Sequence, residues 1–283
     1  MLQADVDFQT GRYAEARQSY ESVVEETGAW DGLARLAHLE LKLGDDRAAD
    51  ALYAAAADEL TAKELRSYAW IELQRGVVHL SRGRLEEAER HYARAAAAYS
   101  GDWRVDEHLG ELRAAQGRFE EALLLYESVV ARVPRPELRQ ALGDLYVCAG
   151  APDEARQWHD LALAGYLESV ERGGVHYYHH LVDFYADVRL DGAEAVRWAR
   201  RDLELRPNFA TWAALAWASY RAGRLDDAAE AADASLASGA KDAHLLSIAG
   251  TIYLAAGRPR RGQQLLEEAD ELNPHRGGFH VHR

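Results

Sequence analysis

Between Gly174 and Asp183 the chain reads GVHYYHHLVD, a dense run of metal-ligating side chains in a sequence of 283 residues. If this run is helical, His176 and His180 stand one turn apart, as do His179 and Asp183, so either pair can offer two ligands to zinc, nickel or copper. Two ligands do not complete a site. The zinc-hydrolase pattern needs a glutamate beside the first histidine and a third ligand, and the run lacks that glutamate. His275, His280 and His282 lie far downstream. His176 and His180 are therefore metal candidates only, and no cofactor is expected. Cys148 is the only cysteine, which excludes an internal disulfide framework and a Cys-rich zinc site and reads as a small buried hydrophobe. There is no glycine-rich phosphate loop and no Gly-x-Ser-x-Gly elbow, so the residues point away from an enzyme.

Composition narrows the classes further. At 48% hydrophobic and 28% charged, the chain can build a core, and it has no apolar run long enough to span a bilayer. The start, MLQADVDFQTGRYAEA, has no basic and apolar leader, which makes the cytoplasm the default expectation. Lys plus Arg is 33 against 47 Asp plus Glu, a net charge of −14. Such a field repels phosphate backbones and anionic lipid, so neither nucleic acid nor membrane insertion is expected. All the basic residues except Lys42, Lys63 and Lys241 are arginine, a bias that suits a GC-rich genome.

The elements that position these side chains follow from an internal repeat. Related hexapeptides begin at Gly11 (GRYAEA), Gly44 (GDDRAA), Gly83 (GRLEEA), Gly117 (GRFEEA), Gly150 (GAPDEA), Leu190 (LDGAEA), Gly223 (GRLDDA) and Gly257 (GRPRRG). They are spaced by 33, 39, 34, 33, 40, 33 and 34 residues, the two long intervals carrying insertions near residues 60–66 and 168–175. Five residues after the glycine stands a small residue, as in Ala88, Ala122 and Ala155; seven before it stands another, as in Gly76, Gly110 and Gly143. Nine after it the first half has Tyr20, Tyr53, Tyr92 and Tyr126, and seventeen after it Pro134, Pro207 and Pro274 stop the second helix. Each unit reads as a helix of about 13 residues, a glycine turn and a second helix, with apolar residues at three-and-four spacing. No segment alternates like a strand.

These columns resemble the tetratricopeptide repeat, a helix-turn-helix unit of 34 residues, over residues 1–274. The fold expected is all-α, a right-handed superhelical solenoid of about eight repeats with the first incomplete, followed by a short His-containing tail at 275–283. Repeat six departs from the pattern, with Asp183 in the small column and Leu190 in place of the turn glycine. Met1 falls about four residues into a first helix, and no polar capping helix follows Pro274. The ends therefore read as cut from a longer protein or as surfaces for self-assembly.

The resemblance implies binding of a peptide or partner domain in a concave groove lined by first helices. Counting thirteen, ten, six and three residues back from the turn carries the groove positions over. Repeat two gives Asp31, Ala34 and His38, repeat three gives Trp70, and repeat four gives Arg104, Glu107 and Glu111. Glu137, Gln140 and Asp144 follow in repeat five, Tyr177, His180, Phe184 and Asp187 in repeat six, and Trp217 and Tyr220 in repeat seven. The expectation is an acidic, aromatic groove suited to a basic or aromatic-containing peptide. The family's clamp for a terminal carboxylate is not matched, since its Lys and Asn columns hold Glu, Gln, Asp and His. Two other readings stay open: a self-assembling array, or a metal- or small-ligand-responsive regulator centred on repeat six. The same aromatics also fit plain packing between helices, with the carboxylates as a solvated face.

Overall fold

The computed structural model describes residues 1–279. Among them there is no strand, and no helix is long and apolar enough to cross a membrane. The helices are consecutive hairpins: α1 (Leu2–Gln9) with α2 (Tyr13–Thr27), α3 (Trp30–Leu43) with α4 (Asp46–Asp58), α5 (Leu65–Leu80) with α6 (Leu85–Ala98), and α7 (Trp103–Ala115) with α8 (Phe119–Arg132). The series continues with α9 (Pro136–Cys148) and α10 (Pro152–Glu171), α11 (Tyr178–Asp183) and α12 (Gly192–Leu205), α13 (Phe209–Arg221) and α14 (Leu225–Leu236), and α15 (Ala243–Ala255) and α16 (Pro259–Leu272). The chain is thus an all-α helical-repeat solenoid by fold class. It divides into two compact units, one of Met1–Val129 with residues 273–279 and one of Val130–Leu272.

The local causes match the repeat columns. The turn glycines adopt left-handed backbone, for example φ 98° at Gly44 and 68° at Gly83, which closes each first helix. Several helix starts carry a side-chain cap: Asp45 accepts from the Ala48 amide, Asp242 from the amides of His244 and Leu245, and Asn208 and Thr211 form a capping box. The helices α8, α12 and α16 end two residues before Pro134, Pro207 and Pro274, as the restricted residue before proline requires. In α9, Leu138, Ala141, Leu142 and Leu145 are buried at three-and-four spacing, each leucine contributing about 1.5–3 kcal/mol relative to exposure.

Close helix crossing depends on the small column. A Cβ at Gly76 would lie 2.1 Å from Tyr92 Cε1, and one at Gly143 2.4 Å from His159 Cδ2. Gly250 and Gly262 bring α15 and α16 together so closely that each would meet the other's carbonyl oxygen at about 3 Å. The two insertions have different fates. Residues 59–64 make a loop in which Glu64 accepts from the Thr61 amide and hydroxyl, whereas the second insertion lengthens α10 to 20 residues.

Repeat six owes its irregularity to a π-helical turn, Phe184–Val188, which follows α11 directly. The wider turn takes one extra residue, so the simple count slips by one there. Asp183 is exposed, while Val182 is buried in the same cluster as Ala199. The Asp expected in the small column is therefore a surface residue, and the bulk of Val182 is matched by a small Ala199 opposite. Leu190 takes the turn position with φ 56°. Cys148 corrects another expectation: it is exposed, because Leu145 is the last buried residue of α9 and the helix ends just past its packed face.

Candidate binding surfaces

In the first unit, α1, α3 and α5 surround a cavity of about 460 Å³. Its aromatic lining comes from Phe8, Trp30, His38, Tyr53 and Trp70. Trp70 stands edge-on to both Trp30, at 6.2 Å between centroids, and Tyr53, at 6.5 Å. Phe8 meets His38 edge-on at 5.4 Å. Charge enters through Asp5, Asp31 and Arg35. The Arg35 guanidinium donates to Asp5 at 2.9 Å and to Asp31 at 3.3 Å, and the Tyr20 hydroxyl donates to Asp5 at 2.8 Å. Burial, then the bond to Asp5, pushes the Tyr20 phenol up, and burial does the same for Tyr53, so both stay protonated donors. Burial, helped by Lys42, lowers His38 to about 4, leaving a neutral imidazole at pH 7. The cavity is therefore an aromatic box with one carboxylate in excess. Ring faces and residual negative charge both favour a cationic or aromatic side chain.

The positions carried over from the repeat pattern fall into three groups. Asp31, Ala34, His38 and Trp70 line this cavity. Asp187, Trp217 and Tyr220 come together in the second unit: the Trp217 indole donates to both Asp187 oxygens at 3.0 and 3.1 Å and stacks on Tyr220 at 5.2 Å. The remainder are turned to internal work. Arg104 folds back onto Asp102, with Nε donating at 3.0 Å. Gln140 accepts from the Tyr166 hydroxyl at 2.8 Å, Asp144 from His159 Nε2 at 2.9 Å, and Glu137 from the Tyr177 hydroxyl at 2.8 Å. His180 stacks on Tyr166, centroids 5.4 Å apart.

The carboxylates expected on the inner face differ in exposure: the side chains of Asp144 and Asp187 are each 40% exposed. Glu107 and Glu111 are only 4% and 1% exposed, Phe184 is fully buried and Tyr177 nearly so. The physical reason in repeat six is the π-helical turn, which carries Phe184 into the cluster of Leu181, Val182 and Trp198. In repeat four, α7 buries both carboxylates alongside Tyr92, whose phenol is raised by burial and then by these two charges.

The histidine run also differs from its expected geometry. α11 begins at Tyr178, so His176 precedes the helix and is exposed, and it is not one helical turn from His180. His179 is half-buried while Asp183 is exposed, and burial, then Arg206, lowers His179 to about 4. His280 and His282 lie outside the described residues. A different trio meets instead: Asp50 on α4, His79 on α5 and His91 on α6. Asp50 accepts from Arg75 Nε at 2.7 Å, and His91 Nδ1 lies 2.9 Å from Glu72, which also accepts from Arg94 at 2.6 Å. The two imidazoles stack at 5.0 Å with 13° between planes. Ring-nitrogen lone pairs lie in the ring planes, and two nearly parallel planes do not converge on one ion. The trio sits among the ion pairs Arg75–Asp50 and Arg94–Glu72, which engage the carboxylates beside it. Sequence reasoning had no motif for it, because the residues come from three helices and the two histidines are separated by a turn.

The comparisons with known proteins bear on the helical-hairpin fold. A family model described as tetratricopeptide repeat matches residues 73–136 and 108–166. No curated protein sequence matches the chain. Among solved structures, a tetratricopeptide repeat protein from Parabacteroides merdae is 20% identical, with a TM-score of 0.50 over 90% of this chain and 93% of that one. A chain of the APC/C hetero-tetramer Cut9-Hcn1 is 18% identical, with a TM-score of 0.51; the match covers 96% of this chain but about half, 52%, of that one. At such identities the likeness shows the fold alone. Residues 73–166 therefore match the tetratricopeptide repeat model, and the repeat columns and consecutive hairpins give the chain a fold like that of tetratricopeptide repeat proteins.

Proposed function

We propose that this chain is a protein-binding scaffold whose α1–α5 cavity takes a basic or aromatic side chain of a partner. Tetratricopeptide repeats generally mediate protein–protein interaction or scaffolding. The observation that carries the finer reading is the box of Trp30, Tyr53 and Trp70 with Asp5 and Asp31 outweighing Arg35. Aromatic rings give rigid contact area with few rotors to freeze, and rings of this kind dominate interface energetics. The partner approaches as an extended or helical segment, since stacked hairpins present a continuous surface rather than a closed pocket.

The test is a panel of short peptides, each placing Arg, Lys, Trp or Glu in a neutral background, titrated against the wild-type chain and Trp70→Ala by calorimetry. Selective binding of the Arg and Trp peptides, weakened at least ten-fold by Trp70→Ala, supports the reading. Preference for the Glu peptide, or equal binding by the variant, overturns it.

A further inference from the structure

Residues 273–279 follow α16 in sequence but belong to the first unit, where they seat on the hairpin of α5 and α6 and on α8. The contact is close. A Cβ at Gly83 would lie 2.8 Å from Asn273 Oδ1, 3.0 Å from Pro274 Cδ and 3.1 Å from His275 Cδ2, so the turn leaves no room there for even a methyl group. The segment is also internally ordered. The Asn273 side chain accepts from the His275 amide at 2.8 Å, its carbonyl accepts from the Arg276 amide at 3.1 Å, and the His275 carbonyl accepts from the Gly278 amide at 2.9 Å. These bonds coil it into two consecutive tight turns that deliver Phe279 to a buried position, 8% exposed. There its ring meets Tyr126 edge-on, centroids 5.9 Å apart and planes at 82°.

Tyr126 sits over Gly110, where a Cβ would lie 2.9 Å from its ring. On α7, Gly110 shares one face with Glu107, Glu111 and Ala114, by three-and-four spacing. Those two carboxylates are the groove positions that the repeat pattern places in the middle of the inner face, and both are buried. The segment itself, residues 273–279, carries His275, Arg276 and Phe279 and no acidic residue.

We propose that residues 273–279 are an intramolecular ligand of the α5–α8 surface, and that the partner this surface takes in trans is a basic peptide with a phenylalanine just beyond a tight turn. The proposal rests on the reading of the chain as a peptide-binding scaffold but concerns a different surface from the aromatic cavity. Because the segment is tethered, it competes at a high effective concentration, and a partner in solution meets a surface that is only fractionally free. Binding in trans is therefore coupled to release of the segment.

The experiment titrates a fluorescent heptapeptide of residues 273–279, acetylated and amidated, against three full-length chains: wild type, Arg276→Ala/Phe279→Ala, and that double variant with Trp70→Ala added. Circular dichroism melts establish that each variant is folded. The expected result is binding to the double variant more than three-fold tighter than to wild type, unaffected by Trp70→Ala. Hydrogen exchange of α7 amides rises in the double variant and falls again when the heptapeptide is added. A ratio of three-fold or less, or no binding to either chain, overturns the proposal. If the heptapeptide fails in this way while Arg and Trp peptides still bind through Trp70, only this inference falls and the scaffold reading stands.

Discussion

The Tyr92 ring closes over Gly76 so tightly that a Cβ at that position would sit 2.1 Å from Cε1. The ring is fully buried, and it is also the wall of a cluster that includes Leu73, Ala88 and Leu112. Alanine at position 76 is favoured by helix propensity by up to about 1 kcal/mol, but the ring it displaces has no free space, and overpacking of this kind costs about 1–3 kcal/mol. Gly76→Ala is expected to lower stability by about 1–2 kcal/mol in urea unfolding, whereas Tyr92→Phe, which removes a buried hydroxyl that has no hydrogen-bond partner, is expected to be neutral or stabilising. A stable Gly76→Ala chain would show that the ring can turn away.

Leu190 is the one non-glycine residue with positive φ among the described residues, and its side chain is 67% exposed. It makes little contact that could offset left-handed backbone, which costs a non-glycine residue about 1–2 kcal/mol. Leu190→Gly restores the residue used at every other turn, and after the entropy cost of glycine in the unfolded chain it is expected to stabilise by about 0.5–1 kcal/mol. A thermal melt settles the sign; a loss of stability would assign Leu190 a packing role.

Acid sensitivity follows from the histidines. Burial, then Lys42, lowers His38 to about 4; burial, then Arg84, lowers His79 to about 4; burial, then Arg206, lowers His179 to about 4. Each binds a proton more readily in the unfolded chain, whose reference is about 6.5. Stability is thus full above pH 6.5 and is lost as pH falls toward 4. For His79, whose side chain is 13% exposed, the loss by pH 5 is on the order of 1–2 kcal/mol. Urea midpoints at pH 7 and pH 5 should differ less in His79→Gln than in wild type, and an unchanged difference would remove His79 from the account.

Charge in the cavity gives a kinetic prediction. Asp31 is half exposed and shares Arg35 with Asp5, so it acts chiefly by steering a cationic partner toward the rings. Asp31→Lys is expected to slow association of an Arg-containing peptide several-fold at low ionic strength, with the gap closing as salt is added. Stopped-flow fluorescence of the cavity tryptophans reads both rates. An association rate indifferent to salt and to the substitution would leave the rings alone as the recognition element.

Much of the architecture is written in short-range pattern. The spacing of the turn glycines, the small columns at minus seven and plus five, and the proline stops at 134, 207 and 274 determine the hairpins, because each acts within one or two helical turns of itself. Side-chain assignments at the surface were less legible. Asp31, His38 and Trp70 line the cavity from counted positions and Phe8 from three residues before Gly11, but Tyr53 joins them from the ring column of a second helix. The count fails at Asp183 and Phe184 because a π-helical turn adds a residue, and hydrogen-bond register of that kind leaves no mark in composition or spacing.

By itself, then, the sequence determined the helix–turn–helix repeat, the absence of strand patterning and the acidic net charge of the chain, all of which are local or additive properties. Only the tertiary structure decided which carboxylates stay at the surface and which are buried. It stacked His79 on His91 beside Asp50, and it seated Phe279 against Tyr126, 153 positions earlier in the chain. These outcomes depend on groups far apart in sequence competing for the same volume and the same hydrogen bonds, a competition that exists only once the hairpins have packed.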